Sequence, residues 1–211
     1  MLTTPRRRSL AAARLYVITP DAPADRVVSI ATAAVRGGTD IIQLRHKSMP
    51  RGELLELARR LRTAITDALF IVNDHVDIAM LCDADGVHLG PDDLSIAAAR
   101  RIAGDRLIIG ASASTPRRVN DAVEEGADYL GCGPAFSTPI KAEKKVLGPR
   151  RIAALSQVAH VPVFAIGGID RSNVSQLVAA GLHRACVIRA VGDAPDPEQA
   201  ARELRAMLTP S

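Results

Sequence analysis

Short apolar segments rich in Val, Ile and Leu alternate along this chain with longer amphipathic segments. The short segments predict strands buried on both faces, and the longer ones predict helices, several of which end at a glycine. The predicted strands are 14–19, 41–44, 69–72, 85–89, 107–110, 129–133, 161–166 and 184–188. The predicted helices are 25–36, 50–66, 76–82, 95–103, 116–126, 149–159, 172–180 and 198–208.

Strands and helices alternate eight times without a linker or a change in composition. This alternation predicts an α/β fold with a parallel sheet and helical crossovers. Eight units in one unbroken chain favour a single-domain (β/α)8 TIM barrel over residues 14–211, and the alternative is an open, doubly wound sheet. Residues 1–13, which include Arg6-Arg7-Arg8, are predicted to be a flexible basic tail.

The composition restricts the function further. The chain has 211 residues, 47% of them hydrophobic, but no Trp and only 2% aromatic residues. A core of Ala, Val, Leu and Ile suits a buried parallel sheet and argues against nucleic-acid modules that stack bases on aromatic rings. The net charge of +4 lies largely in the N-terminal segment, and the remaining basic residues could serve a phosphorylated substrate.

Cysteine spacing and hydropathy predict a cytoplasmic protein without a membrane segment. The three cysteines are far apart and form no CxxC pair, which indicates reduced thiols. Arg14 interrupts the apolar run that follows the N-terminal arginines, so no signal peptide is predicted. No apolar run approaches the roughly 20 residues needed to span a bilayer.

Two acidic positions follow neighbouring predicted strands. Asn73-Asp74 follows the third strand, and Asp93 lies just after the fourth. If these strands are parallel neighbours, both carboxylates open onto the same end of the sheet, where they suit a hard cation such as Mg²⁺. The alternative is that both residues cap helices or form turns.

Other strand ends carry polar or glycine residues. Gln43, Arg45 and Lys47 alternate, so they point to one side of an extended chain, either into a ligand pocket or toward solvent and a barrel carboxylate. Gly167-Gly168 follows the seventh strand and Ile188-Arg189 the eighth, and such loops commonly hold phosphate in barrels, although glycine also simply makes tight turns. Further polar candidates at strand ends are Ser112, Thr138 and Lys141.

This combination fits one substrate that carries a diphosphate and a second that carries a monophosphate. No Ser-His-Asp or Cys-His arrangement is evident. His88 is predicted to be packed and hydrogen-bonded rather than catalytic, and Cys132 is predicted to be a small core residue.

Several of these motifs together resemble the thiamine phosphate synthase family. The resemblance extends from about Leu15 to Met207 and keeps the family's order and spacing. The matching motifs are Gln43-Leu-Arg-His-Lys47, Asn73-Asp74, Gly86-Val-His-Leu-Gly90 with Asp93, Gly131-Cys-Gly-Pro-Ala-Phe-Ser-Thr138 with Lys141, and Ala165-Ile-Gly-Gly-Ile169.

The resemblance implies a (β/α)8 barrel that binds small-molecule substrates and Mg²⁺. Hydroxymethylpyrimidine diphosphate would lose its diphosphate, and the nitrogen of thiazole phosphate would capture the pyrimidinylmethyl centre. By family likeness the pyrimidine diphosphate is held by Gln43, Arg45, Lys47, Asn73, Ser112 and Lys141, of which Arg45, Lys47 and Lys141 are the catalytic cations. The implied Mg²⁺ ligands are Asp74 and Asp93, and the implied thiazole phosphate contacts are Thr138, Gly167, Gly168, Ile188 and Arg189.

Five positions depart from the family pattern. His46 stands where an acid is usual, Ile140 replaces a hydroxyl residue, Arg189 replaces a Ser, and Pro91-Asp92 replaces Gln-Glu. Two alternative functions follow from the resemblance: a thiazole tautomerase-like isomerase, or a non-catalytic barrel that binds thiamine intermediates. Tautomerases tend to lack the Asn-Asp pair and the second Asp, so the presence of these residues favours the synthase.

Overall fold

The computed structural model describes residues 5–138 and 145–209, and within them eight parallel strands close into a barrel in chain order. Closure is made by β1 and β8, in which Leu15 is in register with Ala185. The strands are β1 Leu15–Ile18, β2 Ile41–Leu44, β3 Leu69–Asn73, β4 Gly86–Leu89, β5 Ile108–Ser112, β6 Tyr129–Cys132, β7 Val163–Ile166 and β8 Ala185–Val187. The predicted (β/α)8 barrel is therefore confirmed, and the open sheet is wrong.

Helices cover the outside of the barrel. They are α1 Pro5–Ala12, α2 Ala24–Arg36, α3 Arg51–Ala64, α4 Val76–Leu81, α5 Ile96–Ala103, α6 Pro116–Glu124, α7 Pro149–Val158, α8 Val174–Ala179, α9 Arg189–Gly192 and α10 Pro197–Leu208. The eight predicted helices are all present, with boundaries within two residues, and α1 and α9 are additional. No helix in the described ranges has both the length and the apolar character that crossing a membrane requires.

Two layers of apolar side chains form the core. The larger layer packs the outward-facing strand residues against the helices. The smaller one fills the barrel interior, because alternate side chains on each strand point inward. Tyr16, Tyr129 and Phe164 lie in this interior, with ring centroids 5.5 to 5.8 Å apart and tilted or edge-to-face geometry.

The N-terminal segment differs from the predicted flexible tail. Residues 5–12 form α1, and Leu10 and Ala13 are only 3% and 1% exposed within the barrel-interior cluster. The physical reason is that these two apolar side chains join the barrel-interior core. Arg184 also donates to the carbonyl of Ala11, at 2.8 Å. Residues 1–4 lie outside the described residues.

A repeated acidic contact lies at the N-terminal ends of the strands. Asp40, Asp85 and Asp128 directly precede β2, β4 and β6, and each accepts a backbone N–H from the start of the preceding strand. Each also pairs with an arginine from a helix. The arginine pairs are Arg205 Nε with Asp40 at 2.9 Å, Arg62 with Asp85 at 2.8 Å and Arg100 with Asp128 at 2.7 Å. This repeat fastens adjacent strands and helices at the end of the barrel opposite the candidate site.

Candidate active site

The C-terminal ends of the strands bring most of the predicted polar residues to one rim of the barrel. Gln43, Asn73 and Ser112 are among the last two residues of their strands. The remaining described candidates lie after the strand ends. Lys141 and Ile140 lie outside the described residues, so the structure gives no placement for them.

Asp74 and Asp93 are neighbours at this rim. Asp74 follows β3 with a φ of 64°, and its N–H donates to the carbonyl oxygen of His88 on β4 at 2.8 Å. The pKa of Asp93 is raised by desolvation first, and then by the hydrogen bond and the negative charge of Asp74. The two carboxylates therefore form a close like-charge pair.

Neither Asp74 nor Asp93 is the N-cap of a helix in the structure. The N-cap of α4 is His75, and that of α5 is Ser95, whose side chain accepts from Ala98 N. Asp93 does form a turn, because its Oδ2 accepts from Gly90 N at 2.7 Å. This contact fixes the Asp93 carboxylate beside Asp74.

Lys47 supplies positive charge to the acidic pair. Its Nζ lies 2.6 Å from Asp74 Oδ2, and its side chain is 53% exposed. An ammonium group beside two carboxylates offsets their mutual repulsion, so part of the charge that a divalent cation would neutralise is already balanced.

Asp21, which the sequence argument missed, organises the loop after β2. Its Oδ2 lies 3.3 Å from Arg45 NH1, and its Oδ1 accepts from the backbone N–H of Lys47 at 2.9 Å. His46 Nδ1 lies 3.9 Å from the same carboxylate. Arg45 thus pairs with a barrel carboxylate, as one of the two interpretations predicted. The available signal was an aspartate shortly after β1, the same placement that drew attention to Asp74.

Gln43 is buried, unlike Arg45 and Lys47. It is 1% exposed and points into the barrel, where its Nε2 donates to the Tyr16 hydroxyl at 2.5 Å. The Tyr16 hydroxyl is 2.8 Å from that of Tyr129, which is 3.1 Å from His88 Nδ1. His88 Nε2 lies 3.1 Å from Ser112 Oγ. Five side chains from five strands thus form a continuous polar chain across the barrel.

The prediction that His88 is packed and hydrogen-bonded is confirmed by these contacts. The role of the two tyrosines was missed, although a signal existed. They are the only two tyrosines in the chain, and each occurs within a predicted strand where a phenol must find a buried partner.

The Gly167-Gly168 turn follows β7 and approaches the loop after β6 closely. Both residues have positive φ, 99° and 65°. A Cβ at Gly168 would lie 2.4 Å from the carbonyl oxygen of Ser137, and the N–H of Phe136 donates to the carbonyl of Gly167 at 2.9 Å. The turn therefore places the segment that leads to Thr138 beside the glycines.

Ile188 and Arg189 complete this side of the rim. Ile188 is partly buried against the barrel-interior cluster and precedes the single turn α9. The Arg189 side chain is exposed, and it makes no ion pair or hydrogen bond with any residue in the described ranges.

A groove of about 540 Å³ adjoins the acidic pair between β4, β5 and the helices that follow them. Asp93 and Ser112 lie at one side, and the lining carries both signs of charge, from Arg117 and Arg118 and from Asp121 and Glu125. Its volume is in the range of small-molecule sites.

The acidic pair alone is too small to coordinate a metal fully. Over the ranges 5–138 and 145–209, no group of three or more His, Cys, Asp or Glu side chains is placed to hold a metal ion. Two adjacent carboxylates nevertheless fit the way Mg²⁺ binds at phosphate-handling sites, where one or two carboxylates combine with water and substrate oxygens.

The described residues form a closed (β/α)8 barrel with polar and charged side chains at the C-terminal ends of its strands. The model of the family described as thiamine monophosphate synthase matches residues 15–191. The chain belongs to this family.

Similar proteins carry related names. The chain is 46% identical over 193 residues to a thiamine-phosphate synthase of Gloeobacter violaceus, covering 90% of this chain and 56% of that protein. It is 43% identical over 210 residues to that of Salinibacter ruber, covering 97% and 92%. A solved thiamine phosphate pyrophosphorylase from Pyrococcus furiosus is 38% identical, with a TM-score of 0.86 and 96% coverage of both chains.

The relatives differ in length. The chain spans 56% of the Gloeobacter protein and 58% of a similar thiamine-phosphate synthase from Thermosynechococcus vestitus, so it corresponds to little more than half of each.

Proposed function

We propose that the protein is a thiamine phosphate synthase. In this reaction a hydroxymethylpyrimidine diphosphate loses diphosphate, and the ring nitrogen of a thiazole phosphate forms the new bond to the pyrimidinylmethyl carbon. The observation that carries the proposal is the acidic pair of Asp74 and Asp93 beside Lys47, set opposite the Gly167-Gly168 turn. In an eight-stranded barrel, β3 and β7 lie across the mouth from each other.

The proposed cofactor is Mg²⁺, held by Asp74 and Asp93. When bound, the ion would neutralise charge on the departing diphosphate. Lys47 already balances part of the charge at Asp74, and Gly90 N holds one oxygen of Asp93 in place.

The cations around this pair are proposed to bind the diphosphate. Arg45 and Lys47 are engaged with Asp21 and Asp74, and both contacts lie at the open rim. A diphosphate would compete with these carboxylates for the same N–H donors, and it would gain charge-assisted hydrogen bonds as its own charge develops. Lys141 is proposed as a third cation from the family resemblance.

The pyrimidine portion is proposed to lie against β2, β3 and β5. Asn73 and Ser112 provide polar side chains at the ends of β3 and β5, with Ser112 on the side of the diphosphate, and Gln43 lies buried within β2 beneath them. The thiazole phosphate is proposed to lie across the mouth, on the side formed by β6, β7 and β8. Its contacts would be Thr138, Gly167, Gly168, Ile188 and Arg189.

Arg189 is suited to the thiazole phosphate, because a guanidinium can hold phosphate oxygens through two parallel hydrogen bonds. This contact could offset the missing hydroxyl at Ile140, where one hydrogen bond to a charged group is worth about 1.5–3 kcal/mol.

No protein nucleophile is needed for this substitution, and the thiols are poorly suited to be one. Burial raises the pKa of Cys132 to about 12, so its thiol stays protonated at neutral pH. The chain's own contribution is to orient the two substrates and stabilise the leaving group.

The test is to incubate the protein with both substrates and Mg²⁺ and to measure thiamine phosphate and diphosphate together. Asp74→Asn and Asp93→Asn should each remove most activity, with partial rescue at high Mg²⁺. Asp83→Asn is the matched control, because Asp83 is exposed and follows α4 at the other end of the barrel. Absence of both products, or isomerisation of the thiazole alone, would contradict the proposal.

A further inference from the structure

We propose that the polar chain across the barrel runs in one direction, from Gln43 to Ser112, and that it holds His88 as the Nε2–H tautomer. In this arrangement the Ser112 hydroxyl must donate its proton outward, to an acceptor oxygen of the bound ligand. Tyr16, Tyr129 and His88 are then positioning residues for Ser112.

The direction follows from the chemistry of the first contact. The Gln43 Nε2 group can only donate, so the Tyr16 oxygen accepts from it. The proton of Tyr16 then goes to its other neighbour, the hydroxyl of Tyr129 at 2.8 Å. If Tyr129 donated instead, the Tyr16 proton would be left in a fully buried position without the partner that the structure provides, which is costly.

The remaining contacts inherit this direction. Because Tyr129 accepts from Tyr16, its own proton goes to His88 Nδ1, at 3.1 Å. A neutral imidazole with an accepting Nδ1 carries its proton on Nε2, which then donates to Ser112 Oγ at 3.1 Å. The Ser112 oxygen thereby accepts from the imidazole, and its own proton points away from His88.

The two phenols can serve as fixed one-proton relays because burial keeps them neutral. Desolvation is the largest cause of the raised pKa of both Tyr16 and Tyr129. Phe164 packs edge-on against both rings, with centroid distances of 5.5 and 5.8 Å, which restricts their tilt.

Ser112 differs from the other members because it is exposed at the rim, on the border of the 540 Å³ groove. Its outward proton suits an anionic oxygen, such as that of a diphosphate, and would not satisfy a ligand N–H. The ligand class rests on the proposed function, whereas the direction of the chain and the tautomer do not.

The direct test is ¹⁵N NMR of the histidine-labelled, ligand-free protein at neutral pH, with the His88 signals identified by their loss in His88→Gln. The expected result is a protonated Nε2 and an unprotonated Nδ1. A protonated Nδ1 would overturn the proposal, because it would mean that the chain runs from Ser112 toward Gln43.

Tyr16→Phe tests whether Tyr16 sets the tautomer of His88 through Tyr129. It removes the donor to Tyr129, so His88 should become a mixture of tautomers although its contacts with Tyr129 and Ser112 remain. Phe164→Leu is the matched control, because it alters packing in the same interior without removing a hydrogen bond, and it should leave Nε2–H in place. A pure Nε2–H state in Tyr16→Phe would overturn the long-range part of the proposal.

The functional arm uses the Michaelis constant for the pyrimidine diphosphate. Tyr16→Phe should raise this constant several-fold, up to about tenfold, in the natural protein, and should raise it no further in a Ser112→Ala background. Independent, multiplying effects would show that the chain does not act through Ser112. If the protein made no thiamine phosphate at all, the proposed function would fail while the tautomer result would still stand.

Discussion

Gly110 on β5 and Tyr129 on β6 lie in register, and the absence of a side chain on the first makes room for the ring of the second. A Cβ built at Gly110 would lie 2.0 Å from Tyr129 Cζ and 2.4 Å from its hydroxyl oxygen. The Tyr129 ring therefore occupies space in the barrel interior that a side chain at position 110 would otherwise fill. The glycine, which looked unremarkable within a strand, determines where the polar chain crosses the barrel.

We predict that Gly110→Ala lowers the free energy of unfolding by about 1–3 kcal/mol, because Tyr129 must move in a closely packed core. Gly52→Ala is the control. Gly52 lies in α3, and a Cβ there would meet nothing within 4 Å. That change should leave stability unchanged or raise it by less than about 1 kcal/mol. Chemical denaturation of both variants measures the difference, and equal stability would contradict the steric argument.

The barrel itself could be predicted from the sequence because strand burial and helix amphipathicity repeat along the whole chain. Its interior could not. Whether Tyr129 faces Gly110 depends on the register between β5 and β6, which are separated in the sequence by α6 and its loops. The helix α1 was missed for a similar reason. A charged segment with Arg6-Arg7-Arg8 is typical of a tail, and only the barrel-interior cluster that Leu10 joins makes it an ordered part of the fold.

A second prediction concerns Asp93 and the repulsion from Asp74. Since the pKa of Asp93 is raised in the folded protein, the folded state favours its protonated form. The resulting stability is present below the unfolded pKa of 3.8 and is lost as the pH rises through the folded value. At neutral pH without Mg²⁺, Asp93→Asn should therefore melt at a higher temperature than the natural protein, and the gap should shrink as the pH is lowered toward 3.8.

Adding Mg²⁺ should reverse this order. The ion should raise the melting temperature of the natural protein and have little effect on Asp93→Asn, because binding to the folded state stabilises it. Asp83→Asn serves as control: it removes one exposed carboxylate, and its φ of 53° suits asparagine. It should respond to Mg²⁺ as the natural protein does. If Mg²⁺ leaves the melting temperature of the natural protein unchanged, that result would argue against the proposed metal site.

A third prediction tests the repeated acidic contact at the other end of the barrel. Asp128→Ala removes the partner of both Ile109 N and Arg100, and should lower the free energy of unfolding by about 2–4 kcal/mol. Glu56→Ala is a control with the same N···O distance. The Glu56–Arg59 and Asp128–Arg100 pairs are both at 2.7 Å, but the carboxylates are 67% and 14% exposed. The exposed pair should contribute less than about 1 kcal/mol. Similar losses in denaturation experiments would show that burial of the repeat adds nothing.

The candidate site was predictable as a set of strand ends but not as a set of contacts. Asp74, Asp93 and Lys47 could be placed at one rim because parallel strands end together. That Lys47 pairs with Asp74 while Arg45 pairs with Asp21 depends on the paths of the loops, which the strand pattern does not define. The alternating positions of Gln43, Arg45 and Lys47 placed Gln43 with the cations. Gln43 is nevertheless buried, because it lies within β2 rather than after it.

The last prediction separates close backbone approach from backbone strain at the glycine turn. Gly168 and Gly181 both have positive φ, 65° and 82°, so an alanine at either position costs about 1–2 kcal/mol of conformational energy. They differ in surroundings. A Cβ at Gly168 would lie 2.4 Å from the Ser137 carbonyl oxygen, whereas one at Gly181 would meet nothing within 4 Å.

Gly168→Ala must therefore push the β6 loop, and with it Thr138, away from the turn. We expect it to raise the Michaelis constant for thiazole phosphate at least tenfold, which corresponds to a loss of about 1.4 kcal/mol in binding free energy. The Michaelis constant for the pyrimidine diphosphate should change little. Gly181→Ala should lower the melting temperature but leave both constants unchanged. Steady-state kinetics on both variants decide the matter: equal effects on the two substrates, or a silent Gly168→Ala, would place the thiazole phosphate somewhere other than this turn.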